Sequence, residues 1–94
     1  LIKVYITGHL KAYTGHKREL EISNTENVSS LIRILDEMFP GIRDRIFDDH
    51  DKTRPFVNIF VNGANIRDDA NENTNLKEGD IVHILPSVAG GLSA

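Results

Sequence analysis

One long stretch of helical periodicity runs through this sequence, and alternating segments flank it on both sides. Val28, Leu31, Ile32, Leu35, Met38 and Phe39 follow i, i+3, i+4, i+7 spacing. That spacing gathers them on one side of an amphipathic helix of about three turns. Arg33, Asp36 and Glu37 fall elsewhere on the wheel, and Ile34 lies at the margin of the stripe. Asn24-Thr25-Glu26-Asn27 is rich in capping residues, and Asn27 is the predicted N-cap because the apolar pattern begins at Val28. Pro40-Gly41 ends the helix. Ile42, Ile46 and Phe47 place one further short helical turn against the same core. A helix with one apolar stripe must lay it on something, and the flanking segments supply a sheet.

Ile2, Val4 and Ile6 alternate with Lys3, Tyr5 and Thr7, as in a half-buried strand. Residues 9–17 read as a loop, with Gly8, Thr14 and Gly15 as its turn formers. Leu20 and Ile22 point inward from the next alternating run, so the first two strands form a hairpin with a long connection. Residues 48–55 are a polar loop. In the strongest strand, Val57, Ile59 and Val61 share one face while Phe56, Asn58, Phe60 and Asn62 share the other. Asn62-Gly63 signals a tight turn into a short strand over 64–66. Residues 68–74 are polar and loop-like, and Leu76-Lys77-Glu78-Gly79-Asp80 turns the chain into a last strand, 81–85. No internal repeat or domain boundary interrupts this order.

The pattern predicts one α+β domain over 1–85, a mixed sheet with one main helix packed across one face. The first and last strands could pair in parallel at the sheet centre, as a β-grasp requires; alternation by itself leaves that topology open. Residues 86–94 are expected to form a flexible tail, because Pro86 has no backbone N–H to continue a ladder.

Composition narrows the function. The 94 residues carry a net charge of -3, against a general nucleic-acid binder. There is no cysteine, which excludes disulfide scaffolds, thiolate-held clusters and cysteine nucleophiles and fits a cytoplasmic protein. No apolar run approaches the ~20 residues that span a bilayer. The first residues lack the basic-then-apolar pattern of a secretory signal.

The tail reads Pro86-Ser87-Val88-Ala89-Gly90-Gly91-Leu92-Ser93-Ala94. Ala89, Gly90 and Gly91 have almost no side chain for a core to use, but a bare backbone can enter a narrow channel in another protein. A Cβ at either glycine would obstruct an enzyme approaching the backbone from several sides. The reactive group would be the Gly91 carboxylate, which Leu92-Ser93-Ala94 covers.

With Phe56-Val57-Asn58-Ile59-Phe60-Val61-Asn62, Leu76-Lys77-Glu78-Gly79-Asp80 and Ile84-Leu85-Pro86-Ser87-Val88-Ala89-Gly90-Gly91, the chain resembles the ubiquitin-like sulfur-carrier proteins over essentially its whole length. Leu10-Lys11-Ala12-Tyr13-Thr14-Gly15 adds a weaker match. The Phe-Val-Asn-Ile segment is most similar to the cysteine-biosynthesis branch. The resemblance implies a ubiquitin-like β-grasp and a protein cosubstrate, itself no enzyme and holding no cofactor. A ubiquitin-activating-type enzyme would use ATP and Mg²⁺ to adenylate Gly91, and a sulfur donor would then leave a thiocarboxylate there. Val88, Ala89, Gly90 and Gly91 would form the tail handed to that enzyme. A zinc metalloprotease of the JAMM class would first cut between Gly91 and Leu92. The sulfur would pass to an acceptor enzyme such as a cysteine-synthase homologue. Small-subunit duty in molybdopterin synthase, isopeptide-forming protein modification and a plain interaction module stay open beside this reading. A cloning remnant, or a natural tail on a non-carrier, is the other account of Leu92-Ser93-Ala94.

Tyr5, Phe60, His83 and Leu85 fall on the sheet face opposite the helix and form the expected partner-docking patch, with Phe60 as anchor. Asp48-Asp49-His50-Asp51 lacks calcium-loop spacing and reads as a solvated acidic loop, as do Asp68, Asp69 and Glu72. His9, His16, His50 and His83 have neither metal-ligand nor triad spacing, so no metal is expected. Arg43 and Arg45 form a small basic spot neutralised by Asp44, Asp48 and Asp49. Arg67 is assigned equally to a partner contact or to plain surface.

Overall fold

The computed structural model describes residues 1–23 and 25–87. Five strands form one sheet: β1 (Ile2–Ile6), β2 (Glu19–Ile22), β3 (Val57–Val61), β4 (Ala64–Asn65) and β5 (Ile81–Pro86). Their order across the sheet is β2-β1-β5-β3-β4. β1 and β5 run parallel at the centre and the other neighbours are antiparallel. Two α-helices, α1 (Val28–Met38) and α2 (Ile42–Ile46), lie between β2 and β3. This is the expected β-grasp.

One face of the sheet is dry. Ile2, Val4 and Ile6 of β1, Ile59 of β3 and Val82 and Ile84 of β5 are completely buried, as are Val28, Leu31, Ile32 and Leu35 of α1. Asn27 caps α1 by accepting a hydrogen bond from the Ser30 amide at 2.9 Å. The entry to α1 is also tied to the segment before β5: the Val28 amide donates to Thr74 and the Leu76 amide to Glu26. Asp36 Oδ1 accepts from the amides of Gly41 and Arg43, both at 3.1 Å, and so joins α1 to α2. Gly41 turns the chain there at φ +100°, against the Tyr13 ring. Ile42, Ile46 and Phe47 complete the core from α2.

Several expectations are corrected. Residues 8–13 are a 3₁₀ helix (Gly8–Tyr13) that buries Leu10, where the sequence read as a loop. Two turns of 3₁₀ helix are too short to impose a visible period. Met38, placed on the helix stripe, is 48% exposed. It lies beside Lys17, Glu19, Leu20 and Glu21 at the edge strand, where the sheet has ended. The strand over 64–66 stops at Asn65, and Ile66 starts a buried 3₁₀ turn (Ile66–Asp68). A further 3₁₀ turn, Asn71–Asn73, occupies part of the polar 68–74 stretch. Asn62 and Gly63 both have positive φ, as the tight turn requires.

The last strand continues through Pro86, one residue past the expected domain limit at 85. Pro86 is opposite Val57, and Ser87 donates its amide to the Phe56 carbonyl at 2.8 Å. In an antiparallel ladder bonded at Phe56 and Ser87, Val57 and Pro86 are a non-bonded pair. The Pro86 nitrogen therefore faces away from β3, toward the side where the pairing with β1 ends at Ile6 and Ile84. No donor is required there, so the sheet tolerates proline.

Candidate functional site

The face opposite the helices carries the four residues expected there. Strand register places Tyr5 beside His83 and His83 beside Phe60, in a row across the three central strands. Leu85 is opposite Asn58, one row nearer the end of β5. All four are half-buried. The Tyr5 and His83 rings stack with centroids 4.9 Å apart and planes at 14°. That separation is close to the ~4.8 Å between neighbouring strands, so register brings the two rings within stacking distance. Tyr5, His83, Thr7, Arg18 and Glu19 line an open concavity of about 540 Å³. Lys3 and Glu19 approach to 3.6 Å at its margin, both about half exposed.

Arg67 closes the other side of this face. Its Nη1 donates to Asn58 Oδ1 at 2.7 Å, and its Nη2 donates to the carbonyls of Arg54 and Val57 at 3.0 and 2.9 Å. Asn65 also donates to Asn58 Oδ1, at 3.3 Å. The Arg67 guanidinium is thus engaged within the chain, fixing the Asn58 amide beside Leu85. The alternation of β3 could place Asn58 but gave no sign of its Arg67 partner.

Two further residues belong to this face and were not singled out by sequence. Phe56 precedes β3 and is 46% exposed. Ser87 follows β5 and donates both its amide and its hydroxyl to the Phe56 carbonyl, at 2.8 and 2.9 Å. Phe56 shares the parity of Asn58 and Phe60, a signal that pointed to it. The Ser87 contact depends on register and carries no sequence signal. The expected tail residues Val88, Ala89, Gly90 and Gly91, and the cleavage point between Gly91 and Leu92, lie outside the described residues, as does Asn24.

The polar loops are more organised than expected. Asp48 accepts hydrogen bonds from the amides of His50 and Lys52, at 2.8 and 3.1 Å. The Lys52 amide, then that of His50, holds its carboxyl below the ordinary aspartate range. Asp51 pairs with Arg43, which also meets Asp44 at 3.1 Å. Arg45 instead donates to the Tyr13 hydroxyl at 2.7 Å, so its partner is a phenol and not the nearby acids.

Glu72 departs from the expected solvated loop. Its side chain is only 13% exposed, and Oε2 accepts from the Thr53 amide and hydroxyl at 2.7 and 2.9 Å. Burial pushes this carboxyl up, but the bonds from Thr53, with Lys52 nearby, outweigh it and hold the group below the usual glutamate range. Among the described residues there is no cluster of histidine and acidic side chains able to hold a metal ion. Nor is any helix among them long and apolar enough to cross a membrane.

The description "ThiS family" belongs to a family model that matches residues 4–91, nearly the whole chain. The chain belongs to the ThiS family. This ThiS-family chain is 34% identical over 92 residues to the sulfur carrier protein CysO of Mycobacterium tuberculosis, covering 96% of itself and 98% of that relative. Its fold superposes with a TM-score of 0.87 on a chain of the BexX/CysO complex of Amycolatopsis orientalis, at 30% identity, covering 97% and 100% of the two chains. Small archaeal modifier protein 1 of Methanosarcina acetivorans superposes with a TM-score of 0.81 at 32% identity, covering 96% and 95%.

Proposed function

We propose that this ubiquitin-like sulfur carrier of the ThiS family works as a protein cosubstrate, holding sulfur as a thiocarboxylate on Gly91 once Leu92-Ser93-Ala94 have been removed. The observation that carries the reading is the Val-Ala-Gly-Gly run one residue beyond the central strand of a β-grasp, in a family match that ends at residue 91. While Leu92 is attached, Gly91 is an amide and offers no carboxylate. Hydrolysis of the Gly91–Leu92 bond by a zinc metalloprotease of the JAMM class frees it.

A carboxylate is a poor electrophile. The Gly91 oxygen attacks the α-phosphorus of Mg²⁺-bound ATP on an activating enzyme and pyrophosphate leaves. Sulfide from the donor then adds to the acyl carbon and AMP departs, leaving the thiocarboxylate. The chain's own share is to present the terminus and to dock; ATP and Mg²⁺ belong to the partner. A need for ATP supports a cytoplasmic location for this chemistry. The match to a sulfur carrier named CysO supports cysteine biosynthesis, with a cysteine-synthase homologue as acceptor, and a relative crystallised with BexX supports handover to a partner protein. The face bearing Tyr5, Phe60, His83 and Leu85 serves as the docking surface in this reading.

A second reading, attachment of Gly91 to lysines, draws on the similarity to an archaeal modifier protein. One experiment separates them. The full chain and a chain ending at Gly91 are incubated with ATP, Mg²⁺, a sulfur donor and the cognate adenylating enzyme. The shorter chain is expected to release pyrophosphate and gain the mass of one sulfur-for-oxygen exchange, and the full chain to do neither. Lysine-linked adducts in place of the mass gain would favour the modifier; no pyrophosphate from the shorter chain would end both readings. Gly91→Val is expected to abolish pyrophosphate release with an unchanged melting temperature.

A further inference from the structure

The carrier reading requires Gly91 to arrive at a partner's reaction centre from a defined origin. The origin is the end of β5. Past Ile84 that strand has lost its β1 neighbour, yet its end is held from both sides. On one side Gly8, at φ +64°, packs so closely that a Cβ there would come within 3.1 Å of Pro86 Cγ. On the other side the Phe56 carbonyl accepts both the amide and the hydroxyl of Ser87. A carbonyl oxygen has two lone pairs, so both bonds can form together.

We propose that Ser87 is a positioning residue for the tail, its hydroxyl doubling the last ladder bond so that the terminus always departs from one point beside Phe56. This rests on the carrier reading above. The physical consequence is geometric. Gly91 is four residues beyond Ser87, a reach of at most about 14 Å at ~3.5 Å per extended residue. With Ser87 held, Gly91 lies within that radius of a fixed root beside Phe56. If Ser87 comes loose, Pro86 becomes the root, the radius grows and its origin moves. Fewer bound complexes then hold the carboxylate in attacking position. Such a loss falls on turnover within the complex, because the docking face itself is untouched.

The test compares chains ending at Gly91 that carry Ser87, Ser87→Ala or Ser87→Thr. Pyrophosphate release with the cognate adenylating enzyme is followed at steady state, with thermal melting in parallel. Ser87→Ala is expected to lower kcat about two- to tenfold, the size of one net hydrogen bond, with KM unchanged and Tm lowered by no more than the few degrees that one such bond is worth. Ser87→Thr keeps the hydroxyl and is expected to restore kcat. An alanine variant with the kcat of the unmodified chain would overturn the inference. So would a loss confined to KM, or one that threonine does not repair. If the unmodified chain itself released no pyrophosphate, the carrier reading would fall and this inference with it. Normal turnover of that chain with an indifferent alanine variant removes the positioning role alone.

Discussion

Alternate residues of the same three strands end up in different solvents. Ile2, Val4, Ile6, Ile59, Val82 and Ile84 are completely buried beneath α1, whereas Tyr5, Phe60, His83 and Leu85 on the other face keep partial contact with water. The helix-side set is aliphatic and interchangeable in kind, filling volume. The opposite set is mixed, with two aromatics, an imidazole and a leucine, and bears one specific contact, the Tyr5–His83 stack. A face that served folding alone would not need chemistry of that variety. The difference gives stability to one side of the sheet, and on the reading proposed above leaves the other side for recognition.

The comparison would break most visibly at Ile84. Ile84→Ala is expected to cost about 3–4 kcal/mol in chemical denaturation, because a buried cavity follows the lost methylene groups. Partner binding should weaken only as far as the folded fraction falls. A variant of near-normal stability would show that the core beneath α1 collapses around the gap.

Glu72 sharpens the comparison from inside the helix layer, where a polar contact does structural duty. Glu72→Gln is expected to destabilise by about 1–2 kcal/mol at neutral pH, since it weakens a charge-assisted pair of bonds to Thr53. The carboxyl is held lower in the folded chain than in the unfolded one. Its stabilisation is therefore full above the unfolded value of about 4.3 and is lost as pH falls through the lower folded value. Melting temperatures of the two proteins should differ most at neutral pH and converge in acid. A constant gap across that range would remove the carboxylate from the account.

Phe60→Ala tests the recognition side. We expect about 1 kcal/mol or less of lost stability, but a loss of tenfold or more in affinity for the activating enzyme, as at an aromatic anchor. A variant that melts much earlier yet binds normally would transfer Phe60 to the core. The smallest effect is expected from the ring pair. A double-mutant cycle of Tyr5→Ala and His83→Ala should give a stability coupling of about 0.5–1 kcal/mol. No coupling would mean that register alone brings the rings together.

What was legible followed from strong periods. The α1 stripe, its Asn27 cap, the Asn62-Gly63 turn and the inward and outward sets of β1, β3 and β5 are all written in local patterns. So was the shared face of Tyr5, Phe60, His83 and Leu85, because strand alternation fixes a side chain's face once one face is known to be buried. The exposed Met38 obeys the same helical period as Leu35 and differs only in lying past the edge of the sheet. The 3₁₀ helix over 8–13 was invisible because it repeats too briefly.

By itself the sequence determined the layers, the two faces of each strand and a diglycine run following the last one, since these depend on neighbours a few residues apart. Tertiary structure alone decided which loops touch. Arg67 reaching Asn58, Glu72 receiving Thr53 and Ser87 bonding to Phe56 join positions 9, 19 and 31 residues apart. Polar side chains in loops carry no period, and their partners are chosen by where packing of the apolar core brings the backbone.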